Sequence, residues 1–145
     1  MDIYSYLVYS CRKWVNGHLA YYLLTLLGSE IPCSVPVSKG FELAHGEFGV
    51  VAHPKAVIGQ RVKLYPGVTL GQADISLPAA EPHFEGIAIE DDAILSPGAK
   101  VLGKEGVLRV WWGSVIGANA VLLESTGENE IWAGIPARCV GKRDG

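Results

Sequence analysis

The sequence predicts a mainly β fold: a solenoid of short strands wound into three-faced coils, preceded by a short helical segment. Three observations predict it. Apolar residues recur at every sixth position from residue 31 onward. Eighteen glycines and eight prolines are scattered along 145 residues, which suits a fold with many tight corners and not a helical bundle. Only residues 1–28 carry the three-and-four spacing of an amphipathic helix. With 49% apolar and 19% charged residues, a chain of this length reads as one compact soluble domain.

The helical segment places Tyr4, Leu7, Val8, Cys11, Trp14 and Val15, then Leu19, Tyr22, Leu23, Leu26 and Leu27, on successive turns. Asn16-Gly17 is expected to break it in two, and Gly28 stands where a helix C-terminal glycine belongs. The aromatic face (Tyr4, Tyr6, Tyr9, Trp14, Tyr21 and Tyr22) is expected to pack on the rest of the fold or on a neighbouring subunit, with a membrane surface as the alternative. The longest apolar stretch, Leu19 to Leu27, is too short to span a bilayer. No basic leader with an apolar core and a cleavage site is visible, so a cytoplasmic location is expected. Residues 1–28 thus read as a helical cap, and residues 29–145 as the solenoid with a C-terminal tail that covers its other end.

Within the solenoid, Ile31, Val37 and Leu43 lie six apart, as do Ala52, Ile58, Leu64 and Leu70. Ile89, Leu95 and Val101 follow, then Val110, Ile116 and Leu122. Two residues before most anchors stands a small or branched side chain: Val35, Val50, Ala56, Val62, Val68, Ala93, Ala99, Ser114 and Ala120. Glycine often comes next, as at Gly59, Gly71 and Gly117. A period of six fits neither a helix nor an alternating strand, but it fits a coil that turns a corner every six residues and closes in eighteen. Each anchor is expected to point inward and to stack on its counterpart eighteen residues away, over roughly four coils. A β-sandwich would need period-two alternation with turns every ~8–12 residues, which the sequence does not show.

The repeat is interrupted three times. Leu43 and Ala52 lie nine positions apart instead of six, with Ala-His-Gly-Glu-Phe-Gly between them, and Val101 and Val110 are also nine apart. Leu70 and Ile89 lie nineteen positions apart, across a stretch that holds Asp74, Glu81 and His83. Insertions into a rigid repeat project as loops, where function tends to be placed. The charge balance narrows what that function can be: a net charge of −3 with mixed signs gives no electrostatic footprint for nucleic acid. Cys11, Cys33 and Cys139 have neither disulfide-framework nor zinc spacing, which fits a reducing compartment. None has a base at a recognisable spacing that would make it a nucleophile.

The hexads resemble those of the hexapeptide-repeat acyltransferases, as do the runs from Leu43-Ala-His-Gly to Gly49-Val-Val, Tyr65-Pro-Gly-Val-Thr-Leu-Gly71, Pro97-Gly-Ala-Lys-Val-Leu-Gly103 and Ala133-Gly-Ile-Pro-Ala-Arg138. The nearest branch is serine acetyltransferase with its polysaccharide-modifying relatives. The resemblance covers residues from about 28 to 141. It implies a left-handed parallel β-helix, a homotrimer, and acetyl-CoA bound in a groove between adjacent subunits.

Carried over residue by residue, the resemblance gives His45 as general base. A hydroxyl is a poor nucleophile near neutral pH, and an imidazole can take its proton during attack on the thioester. Glu30, fifteen residues earlier and one before the first anchor, matches the position of an acid that orients this imidazole. His83 resembles a second family histidine on the substrate side. Gly71, Gln72, Gly117, Ala118, Ala133 and Gly134 match corners that line the pantetheine slot, with a backbone N–H near Gly71 as oxyanion donor. Arg138, Lys142, Arg143 or Lys104 would meet the CoA phosphates, and Pro97 replaces a usual amide donor. Trp111 and Trp112 point outward, toward a subunit interface or the border of the slot.

Two departures concern the acceptor. Ala44 stands where the family has an aspartate, and Pro82 where it has an arginine, the charges that grip the serine zwitterion. The acceptor is therefore serine-like or an uncharged hydroxyl such as a sugar's. Two other classes stay open: a zinc-dependent carbonic-anhydrase-like enzyme using His45, His53 and His83, and a non-catalytic trimeric scaffold. The acyltransferase reading expects no metal.

Overall fold

The computed structural model describes residues 3–12, 17–46, 48–76 and 83–144. In chain order the elements are α1 (Ile3–Ser10), α2 (Gly17–Leu26), β1 (Glu42–Leu43), β2 (Val51–Ala52), β3 (Ala56–Ile58), β4 (Lys63–Leu64), β5 (Thr69–Gln72) and β6 (Phe84–Ile89). They continue with β7 (Ile94–Leu95), β8 (Lys100–Gly103), β9 (Gly106–Val110), β10 (Val115–Ile116), β11 (Val121–Leu122), β12 (Glu130–Gly134) and β13 (Ala137–Lys142).

The strands form the three faces of a left-handed parallel β-helix. The first face is β2-β5-β8-β11, the second β3-β6-β9 and the third β1-β4-β7-β10-β12-β13. Neighbours are parallel throughout except β12 and β13, which pair antiparallel. The predicted C-terminal tail is thus a returning hairpin strand that extends the third face.

Stacked anchors make the core. On the third face Leu43, Leu64, Leu95, Ile116 and Trp132 stand in register, and on the first face Ala52, Leu70, Val101 and Leu122 do so. Ile58, Ile89 and Val110 form the second column, with Val37 bridged to Ile58. Every anchor is buried but Val37, which is half-buried, and all nine small residues two positions earlier are buried as well. Burying an aliphatic side chain contributes roughly 1.5–3 kcal/mol, so these columns supply most of the driving force.

The expected eighteen-residue stacking interval holds only from Ala52 to Leu70. Leu43 meets Leu64 twenty-one residues on, and Leu64 meets Leu95 thirty-one residues on. The reason is the insertions: each adds its excess length to the coil that contains it, while the register of the anchors is kept. Parallel pairing fixes which residues face inward. The expectation that insertions project as loops fails for the third: it is taken up by the longer strands β8 and β9, paired with β5 and β6, with only Lys104 and Glu105 between them.

Two edges of the prism turn through left-handed backbone. Between the second and third faces lie Gly40, Arg61, Asp92, Gly113 and Asn129; between the third and first lie Gly49, Gly67, Gly98 and Asn119. Gly98 shows why glycine is used: its φ is +74°, and an added Cβ would stand 2.0 Å from Asn119 Oδ1 on the next coil.

The helices cover the first coil. α2 closes on Gly28 (φ +93°), with Gly28 N–H donating to Thr25 and Ser29 N–H to Leu24, the Schellman arrangement expected of that glycine. Tyr4 and Tyr9 pack against the core, whereas Tyr6 and Tyr22 are exposed together with Leu19, Leu23, Leu26 and Leu27. Trp14, Val15 and Asn16 lie outside the described residues. Among the described residues, no helix is long and apolar enough to cross a membrane.

Candidate active site

His45 lies on the edge between the third and first faces, where the chain leaves Leu43 at the end of β1. Its φ is +60°, an uncommon conformation for a residue with a side chain, and it is exposed while Ala44 beside it is buried. The imidazole sits 5.7 Å, centroid to centroid, from the ring of Tyr65 one coil further on. Gly46 next to it (φ +77°) faces Tyr4 of α1, whose ring would be 3.7 Å from an added Cβ.

Glu30 is on the same edge but does not reach the imidazole: among the described residues no hydrogen bond or ion pair joins Glu30 to His45. The cause is strand alternation. Ile31 points inward, so Glu30 points outward, and its backbone is committed to the next coil through Glu30 N–H to Val50 O and Ala52 N–H to Glu30 O, each 2.8 Å.

His83 lies on a different edge, between the first and second faces, just before β6. It is exposed, and its carbonyl accepts from Gly106 N–H at 2.7 Å. Gly71 and Gln72, at the end of β5, share that edge. Thr69 and Ala73 donate to Ala99 and Gly103 on the following coil, and the ladder's alternation aims the Gly71 N–H at the same strand. The oxyanion donor expected near Gly71 is therefore not the Gly71 amide itself. Glu81 and Pro82 lie outside the described residues.

Gly117, Ala118, Ala133 and Gly134 return to the edge of His45, on later coils. Gly117 N–H donates to Trp132 O at 2.7 Å, which ties the two pairs together. Arg138 stands opposite Ala133 on β13 and pairs with Glu124 at 3.2 Å. Lys104 pairs with Asp74 at 3.6 Å. Trp111 and Trp112 occupy the third edge, away from both others: Trp111 lies under Arg109, 5.3 Å from guanidinium to ring, and Trp112 Nε1 donates to Asp92 at 3.1 Å.

The remaining described histidine on the solenoid, His53, is engaged by the fold around it. His53 Nδ1 accepts the Lys55 N–H at 3.1 Å, and its ring meets Phe84 edge-on at 5.1 Å. Burial, then the Lys55 charge, holds its pKa below the ordinary value of 6.5. A histidine whose folded pKa is depressed stabilises the fold above its unfolded pKa and loses that contribution as pH falls through the folded one. Unfolding midpoints measured from pH 7 to pH 5 should thus fall less steeply in His53→Asn than in the parent; parallel slopes would remove His53 from the acid response. Among the described residues no group of three His, Cys, Asp or Glu side chains is placed to hold a metal ion.

No protein-family model matches the sequence. Individual proteins do: the serine acetyltransferase of Bacillus licheniformis is 39% identical over 113 residues, 78% of this chain and 48% of that protein. The chain is a hexapeptide-repeat relative of the serine acetyltransferases. The serine acetyltransferase of Staphylococcus aureus is 35% identical over 118 residues, 81% of this chain and 51% of its own. Among solved structures, serine acetyltransferase from Brucella abortus in complex with coenzyme A superposes with a TM-score of 0.77 at 26% identity, over 97% of this chain and 55% of that one. The Neisseria gonorrhoeae serine acetyltransferase in complex with serine gives 0.69 at 26% identity, over 88% and 50%. The chain spans about half the length of the curated serine acetyltransferases it matches.

Around the His45 corner, sequence reasoning did not place the neighbours Tyr65, Tyr4 and Ser5. Tyr65 follows an anchor directly and so faces outward, which is a readable signal. Ser5 is a polar residue on the apolar face of a helix, which marks a buried partner.

Proposed function

We propose that this chain transfers the acetyl group of acetyl-CoA to a hydroxyl of a small acceptor, serine foremost, in active sites formed between the copies of a cytoplasmic homotrimer. The observation that carries the reading is identity of up to 39% to serine acetyltransferases across the coils that present His45. The division of site residues supports a shared site. His45, Glu30, Gly117, Ala118, Ala133 and Gly134 border one side of the first face, and Gly71, Gln72 and His83 the other. A threefold arrangement sets the first of these edges against the second edge of a neighbour.

In this reading His45 removes the acceptor hydroxyl's proton as its oxygen attacks the thioester carbonyl. The tetrahedral intermediate collapses, the C–S bond breaks, and the imidazolium returns the proton to the departing thiolate. No acyl group is carried by the protein. Glu30 stands on the edge of His45 as an exposed carboxylate that does not touch the imidazole. His83 approaches the acceptor from the neighbouring copy. The pantetheine arm extends along the edge from His45 toward Ala133, and Arg138 ends it beside the phosphates.

The test is thiol release from acetyl-CoA with serine, homoserine and simple sugars as acceptors, with products identified by mass. Serine-dependent release and O-acetylserine are expected. Release with sugars alone would transfer the acceptor assignment to glycans, and no acceptor-dependent release together with no coenzyme A binding would refute the enzyme reading.

A further inference from the structure

We propose that α1 is a positioning element of the active site, with Ser5 and Tyr9 completing the open edge of β1 and thereby fixing the corner that presents His45. The inference deepens the proposed role of His45 and rests on it.

β1 is the first strand of the third face. One side pairs with β4, as Glu42 N–H donates to Val62 O at 2.9 Å, and among the described residues no strand lies on the other side. Alternation turns the Phe41 and Leu43 N–H groups to that open side. A bare strand edge is both costly when buried and prone to false pairing. Here two helix side chains take the place of a strand. Leu43 N–H donates to Ser5 Oγ at 3.2 Å, and Phe41 N–H donates to Tyr9 Oη at 3.2 Å while that hydroxyl donates to Ser38 O at 2.6 Å. Ser5 and Tyr9 are four apart and so lie on one face of α1. Ser5 is fully buried.

Leu43 is two residues from His45, and the intervening turn takes His45 to its φ of +60°. Among the described residues no hydrogen bond or ion pair holds the imidazole, only the ring of Tyr65 beside it. Its placement is therefore a property of the backbone, and the backbone is held by β4 on one side and α1 on the other. Small misplacement of a base is expensive in rate, on the order of 10²-fold for about 1 Å.

Ser5→Ala and Tyr9→Phe each remove one hydroxyl. Steady-state kinetics and the imidazole NMR signals of His45 should be recorded for both variants, with circular dichroism to confirm the fold. The expected result is a fall in kcat of about tenfold or more in at least one variant, with KM for acetyl-CoA within about twofold, and displaced or doubled His45 signals. A lower melting temperature with kcat per folded molecule and His45 signals unchanged would overturn the proposal, leaving a cap that only stabilises. If Ser5→Ala does not fold, Tyr9→Phe decides by the same readings. If the parent protein shows no acetyl transfer, the functional reading fails on its own, and the NMR signals still report whether α1 fixes the corner.

Discussion

Replacing His45 with asparagine is expected to lower kcat for acetyl transfer by ~10²–10⁴-fold, the range for loss of a general base. Asparagine is the sharper choice over alanine. His45 has a φ of +60°, which asparagine tolerates better than any other side chain of its size, so the corner is preserved while the basic nitrogen is lost. Coenzyme A affinity and oligomeric state should match the parent, because the proposed coenzyme slot lies at corners on later coils. His45→Ala should lose activity equally, at an added cost in stability. Retention of more than about a tenth of the activity in either variant would sink the base assignment.

Truncating Leu95 to alanine should cost ~2–5 kcal/mol of folding stability. Leu95 is fully buried in the middle of the third-face column, between Leu64 and Ile116. Coils above and below are locked in parallel register, so they cannot close on the cavity without breaking strand pairs. A domain of this size has roughly 5–15 kcal/mol in total, so the shift is a large share of it. Val57→Ala, on the outward side of β3 and 48% exposed, should change stability by about 0.5 kcal/mol or less. Denaturant midpoints of the two variants decide the matter, and similar shifts would contradict a core built from inward anchors alone.

The period of six made the fold readable because it reports a strictly local rule: an inward anchor on each face, usually with a small buried residue two positions before it. That rule holds from Ile31 to Leu122, and only Val37, on the first coil, falls short of full burial. The stacking interval was less accessible, since it depends on which coil absorbs an insertion; Leu43 and Leu64 are in register only because three extra residues leave as a loop. The site was legible as a set of positions and not as an arrangement. His45 stands out by its loop, but the orientation of Glu30 is set by Ile31 next to it, and the contacts of Ser5 with Leu43 and of His45 with Tyr65 cross 38 and 20 residues of sequence. Nothing in the chain order signals that His45 and His83 take different edges of the prism.

That separation gives the most direct test of the account, which places each active site between two copies. His45→Asn and His83→Ala chains, each expected to be inactive alone, should be co-expressed with different tags and the mixed oligomers purified. Each mixed trimer then holds one site that combines His45 of one copy with His83 of its neighbour, which should restore transfer to up to about a third of the parent rate. Activity no greater than that of the two variants assayed separately would contradict a shared site.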